Sequence, residues 1–118
     1  MPLKTTPFFG EYTLRYDWEA YEKLCEVLGV DTFAEFDEVL RKPGPRHIRV
    51  MLWAGLLHIR PELKPEYTGN IITEFLEDGN NLSGVSIAIS NGLKEGGFIG
   101  DRGNDPGEVQ QKPKLRRN

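Results

Sequence analysis

Residues 50–63 read VMLWAGLLHIRPEL, and this stretch decides the fold. Val50, Met51, Leu52, Trp53, Ala54, Gly55, Leu56 and Leu57 form an unbroken apolar run. A helix over roughly 46–60 that is apolar on nearly every side either sits at the centre of a bundle or has one face in the core and one on a partner. Gly55 costs such a helix about 1 kcal/mol relative to Ala, a cost that close approach of a neighbouring backbone would offset. The preceding KPGP at 42–45 breaks any earlier helix, and Pro45 suits the first turn of this one. Pro61 ends it.

On the N-terminal side, FFGEYTLRY at 8–16 reads as strand. Tyr12, Leu14 and Tyr16 alternate with Thr13 and Arg15, a period of two. Gly10 fits a turn between two very short strands. A lone strand leaves its backbone groups unpaired, so its partner is either a hairpin arm or a second copy of the chain. Asp17 reads as an N-cap for a first helix, with Trp18, Tyr21, Leu24, Cys25 and Leu28 as its apolar stripe and Gly29 as its stop. Thr32 and Glu35 have the spacing of a capping box for a second helix. Its apolar face is Phe33, Phe36, Val39 and Leu40.

On the other side, Pro65 opens a fourth helix. Ile71, Ile72, Phe75 and Leu76 give its inner face, and Gly79 stops it. The segment 82–95 fits a helix through Leu82, Val85, Ile89 and Leu93, and a strand through Val85, Ile87 and Ile89. An Asn80–Asn81 cap and the helical surroundings favour the helix. From Gly96 apolar residues nearly vanish, and 97–118 read as a disordered tail, too polar to offset its ordering entropy. The expected fold is therefore mainly α: one domain over 1–96, a small bundle of four to five short helices with a short N-terminal β-strand or hairpin.

Composition narrows the class of protein. At 118 residues the chain is one domain. No run of about 20 apolar residues predicts a membrane span, and MPLKTTPFFGEY lacks the apolar core of a secretory signal. A single cysteine makes neither an intramolecular disulfide nor a cysteine-based zinc site. These features point to a soluble intracellular protein. The net charge of −3 is unevenly spread: residues 11–40 carry −7, 41–60 carry +5, 61–79 carry −4, and KPKLRRN at 112–118 carries +4. Blocks of opposite sign attract when packed or set register between copies, and are otherwise solvated.

No catalytic constellation stands out, so no enzyme activity is expected. His47 and His58 on one helix lie about 16 Å apart along its axis and cannot share a metal ion. No H-E-x-x-H, G-x-S-x-G, Walker or G-x-G-x-x-G pattern occurs. Cys25 falls in an apolar stripe with no base beside it, as a structural thiol does. No metal or other cofactor is expected. Arg41, Lys42, Arg46 and Arg49 could suit a small DNA-binding regulator. The third helix is too apolar to read a wet groove, however, and the acidic remainder opposes a phosphate backbone.

The segments YEKLCEVLG at 21–29 and VMLWAGLLHIRPEL at 50–63 resemble the small phage tail assembly chaperones, most nearly the branch of siphophages and gene transfer agents. Trp53, Ala54, Gly55, Leu56, His58, Pro61, Glu62 and Leu63 sit where that family commonly has W-A-G-L-x-H-x-x-P-E-L. At the start of the fourth helix Lys64-Pro65-Glu66 replaces the family's T-x-E-E-like cap. The resemblance covers about residues 11–95. It implies a non-enzymatic protein that coats the tape-measure protein, keeps it soluble and helps recruit tail tube subunits. It also implies self-association, a longer form made by ribosomal frameshifting, action in the host bacterial cytoplasm, and absence from the mature virion. The competing reading is a structural minor tail or connector protein. Expected partner-binding residues are Tyr12 and Leu14 on the strand edge, and Trp53, Leu56 and Leu57 on the third helix. Charged residues at Tyr12 and Leu14 are then expected to leave a folded monomer that no longer oligomerises.

Overall fold

The computed structural model describes residues 5–100. A hairpin of β1 (Thr6–Phe9) and β2 (Tyr12–Leu14) is followed by five helices: α1 (Trp18–Leu28), α2 (Phe33–Arg41), α3 (Pro45–Leu56), α4 (Pro65–Glu77) and α5 (Leu82–Glu95). The strands pair antiparallel, Thr6 with Leu14 and Phe9 with Tyr12, around a turn at Gly10. The strand's partner is thus its own hairpin arm. The two very short strands expected on either side of Gly10 are β1 and β2, the first starting at Thr6, and 82–95 is a helix.

Local chemistry accounts for the helix ends. The Asp17 carboxylate accepts the Ala20 amide at 2.8 Å to start α1. Gly29 adopts φ 75°, and the Gly29 and Val30 amides return to the carbonyls of Glu26 and Cys25, closing the helix. The Thr32 hydroxyl accepts the Glu35 amide at 3.1 Å, while the Glu35 carboxylate accepts the Thr32 and Asp31 amides. This is the expected capping box. At the start of α3 the third helical residue is His47, whose Nδ1 accepts the Gly44 amide at 2.8 Å, so its ring proton is on Nε2. The Asn81 side chain caps α5 through the Gly84 amide.

Helix α3 runs through the middle, packed by α1, α4, α5 and β2. Every residue from Val50 to Leu56 is buried. It is the central helix of the bundle. It ends at Leu56, short of the expected 60, for a reason remote in sequence. The Gly55 carbonyl accepts the Arg15 amide at 2.9 Å, and the Ile59 amide turns to Leu56 instead. His58 then reaches back, its Nε2 donating to the Thr13 carbonyl at 2.8 Å. The buried Trp53 indole donates to the Leu63 carbonyl at 2.7 Å, which pins the connection to α4.

Tyr16 is the keystone. It is fully buried, and its hydroxyl donates to the Met51 carbonyl at 2.6 Å. A Cβ built on Gly55 would lie 2.8 Å from this ring, and one on Gly92 would also lie 2.8 Å away. The tyrosine therefore fills a slot between α3 and α5 that exists because both positions are glycine. The close approach expected at Gly55 is made by this ring as well as by the Arg15 backbone.

Four residues depart from their expected burial. Trp18, Phe33, Leu76 and Leu82, read as inner-face residues, are exposed. At the other end, Gly97 takes φ 86°, and the Gly97 and Phe98 amides return to the carbonyls of Lys94 and Leu93. That closure caps α5. Phe98 and Ile99 pack against the core, so the folded part runs past the expected boundary at 96. The rest of the expected tail, 101–118, lies outside the described residues.

Burial of Leu14 reverses one expectation. Leu14 is fully buried, so Leu14→Lys places an unpaired charge in the core. It is expected to lower stability by about 3 kcal/mol or more and to unfold the chain instead of releasing a folded monomer. Far-UV circular dichroism melts of L14K and of the half-buried Tyr12→Lys separate the two cases, with only the first losing its transition.

Candidate binding groove between α1 and α2

Two helix starts build the site. Each of α1 and α2 has an aromatic residue directly after its N-cap, Trp18 and Phe33, and a second aromatic three residues on, Tyr21 and Phe36. The second of each pair is buried, and these two meet edge to face at 5.1 Å. The first of each pair is left outside, Trp18 57% and Phe33 71% exposed. A residue at the first helical position has no preceding turn to cover it, which leaves these rings at the mouth of the interhelical space.

Between them lies a groove of about 840 Å³. Trp18, Tyr21, Glu22, Cys25 and Glu26 line it from α1, at spacings of three and four along one helix face. Val30, Asp31, Thr32 and Phe33 close the other side. The rings form a continuous set: Tyr21 stacks on Phe98 at 4.6 Å and on Phe33 at 6.3 Å, and Trp18 lies 5.6 Å from Tyr21. The rim is acidic. Glu22, Glu26 and Asp31 line the groove with no basic residue among them. Among the described residues the exposed ion pairs lie elsewhere: Lys23 with Glu19, Arg41 with Glu38, and Arg60 with Glu62.

The polar groups inside the groove are protected rather than reactive. Burial pushes the Tyr21 phenol up to about 12, helped by neighbouring Cys25 and Asp37. Burial also raises the Cys25 thiol, partly opposed by its hydrogen bond from Tyr21. A thiol held protonated is a poor nucleophile. Burial holds the Tyr16 phenol above its ordinary range as well. For the two phenols, Tyr16 and Tyr21, stability is fully present below the ordinary phenol value of about 10 and is lost as pH climbs through the folded values. Thermal melts are expected to be level to about pH 9 and to fall steeply by about pH 11. Tyrosinate absorbance should appear together with unfolding; full ionisation in a still-folded chain would contradict this.

The expected partner-binding residues do not converge on this surface. Leu14, Trp53 and Leu56 are buried in the core of the folded chain. Tyr12 is half-buried, its ring 6.5 Å from Phe9 and its hydroxyl 3.4 Å from Arg60. Leu57 borders a separate small pocket of about 190 Å³ with His58. His47 lines a third pocket, so the two histidines are not brought together. Among the described residues no cluster of three or more His, Cys, Asp or Glu side chains could hold a metal ion, and no helix is long and apolar enough to cross a membrane.

An exposed aromatic floor with an acidic rim suits an apolar segment that carries Lys or Arg beside its apolar side chains. Trp18 and Phe33 offer faces for both apolar packing and cation–π contact. No family model, curated protein or solved structure matches this chain.

Proposed function

We propose that the protein is a tail assembly chaperone whose α1–α2 groove holds amphipathic helices of a tape-measure protein. The observation that carries this reading is the pair of exposed rings, Trp18 and Phe33, flanking an acid-rimmed groove. A chaperone for a long helical rod must bind many similar segments weakly, by shape and charge, without chemistry. A helix-in-groove mode does so through anchors at spacings of three and four. Tyr21, Glu22, Cys25 and Glu26, four of the nine residues lining the groove, belong to residues 21–29, one of the two segments that resemble the tail chaperones. The other segment, 50–63, serves the core and supports the groove indirectly by holding α1 in place. Recruitment of tube subunits, self-association and a frameshifted longer form belong to the same proposal, as does action in the bacterial cytoplasm.

The test is a titration of the isotope-labelled chain with peptides spanning the helices of the long coiled-coil protein encoded nearby. Amide shifts are expected to concentrate at Trp18, Cys25, Asp31 and Phe33, and to be largest for basic amphipathic peptides. Absence of shifts in the groove would overturn the site. Purified particles should lack this chain by mass spectrometry; its retention there would favour a structural tail component instead.

A further inference from the structure

The described chain ends beside its own groove. Phe98 stacks on Tyr21, and its ring centroid is 6.2 Å from that of Trp18, so the last described residue, Gly100, follows two residues after a ring on the groove wall. Among those residues, Lys112, Lys114, Arg116 and Arg117 form a basic segment with one apolar residue, Leu115. The groove is the converse, an aromatic floor rimmed by Glu22, Glu26 and Asp31.

We infer that the segment 112–118 docks in the α1–α2 groove of the same chain and competes there with any external ligand. Twelve residues from Gly100 to Lys112 span at most about 40 Å, enough to lead along the groove or fold back into it. Tethering makes docking intramolecular, at an effective concentration on the order of mM, so even weak complementarity fills the groove. Lys and Arg meet the three carboxylates, and an Arg over Trp18 adds a cation–π contact. The inference goes beyond the proposed function, because docking holds whatever the external ligand is. The consequence is selective: only a ligand that is more apolar or more basic than 112–118 displaces it. Exposed charge pairs are screened by salt, so occupancy falls as ionic strength rises.

The test uses the full chain. One variant reverses the segment (Lys112→Glu, Lys114→Glu, Arg116→Glu, Arg117→Glu). A second reverses the rim (Glu22→Lys, Glu26→Lys), at two exposed positions. A third combines both. The readouts are the Trp18 indole resonance and its quenching by acrylamide, with the buried Trp53 indole as the control for folding. At low salt, either reversal alone is expected to move the Trp18 resonance toward that of an exposed indole and to increase its quenching. The combined variant should return toward the parent, and about 0.5 M salt should erase the differences. Three results would each overturn docking within one chain: a Trp18 signal unchanged by reversing the segment, no recovery in the combined variant, or an effect that grows with protein concentration. The last would place the segment on a second copy's groove.

Discussion

Truncating Tyr16 to Ala is expected to cost the fold about 3–5 kcal/mol, a large part of the stability of a domain this size. The residue is fully buried, its hydroxyl satisfies itself on the Met51 carbonyl, and its ring separates α3 from α5. Its removal leaves a cavity between two helices and loses a buried hydrogen bond. The slot makes a sharper prediction through Gly92. In an ordinary helix interior Gly→Ala stabilises by about 1 kcal/mol. Here the new Cβ would sit 2.8 Å from the Tyr16 ring, which cannot retreat because Gly55 backs its other side and its hydroxyl is anchored. Overpacking of this kind costs about 1–3 kcal/mol, so Gly92→Ala should be net destabilising. Placed on Tyr16→Ala, the same substitution should become neutral or stabilising, because the obstructing ring is gone. Denaturant melts of the two single variants and the double variant give this coupling directly. Additive effects would mean that the ring does not fill the slot.

The second large effect falls on binding instead of stability. Trp18→Ala with Phe33→Ala should lower affinity for a basic amphipathic helix at least about 30-fold, since exposed aromatic anchors carry hot-spot energies of about 2 kcal/mol or more. Both side chains are more than half exposed, so the melting transition should shift only slightly. Ile87, 60% exposed on α5 and outside the groove, supplies the control: Ile87→Ala should leave affinity unchanged. Isothermal titration against one tape-measure peptide separates these cases. Equal losses for the groove pair and for Ile87 would point to non-specific apolar adhesion.

Much of the architecture was legible because it rests on local chemistry. Asp17, Gly29, the Thr32–Glu35 box, Pro45, Pro65 and Asn81 each act within a few residues of themselves, and each marks a helix end where it was read. The all-apolar run at 50–57 likewise marked a helix with more than one apolar face. What escaped depends on contacts distant along the chain. The end of α3 is decided by the Arg15 amide taking the Gly55 carbonyl, a contact 40 residues apart that no window over 50–63 contains. The slot for Tyr16 needs Gly55 and Gly92 together.

The groove was missed for a related reason. Trp18 with Tyr21, and Phe33 with Phe36, have the spacing of one buried stripe, and periodicity alone assigns all four to the core. The available signal was position: Trp18 directly follows a cap, as does Phe33, where a helix has no earlier turn to shelter a large ring. Acids at 22 and 26 interleaved with that stripe were a second sign, of a face that is apolar but not internal. Conversely, Trp53 and Leu56 were offered to a partner because the third helix looked too apolar for one core, and the four elements packed around it account for that surplus; Leu14 was offered as a strand edge, and its pairing with Thr6 and burial account for it.

The most direct measurement is co-expression of this chain with a long coiled-coil tape-measure protein, the proposed partner, following how much of the long protein stays in solution and copurifies. The parent chain should keep it in solution and form a complex, whereas the folded Trp18→Ala, Phe33→Ala variant should let it precipitate. A groove variant that works as well as the parent, or a long protein that precipitates with the parent present, would contradict the groove as the working surface of the proposed chaperone.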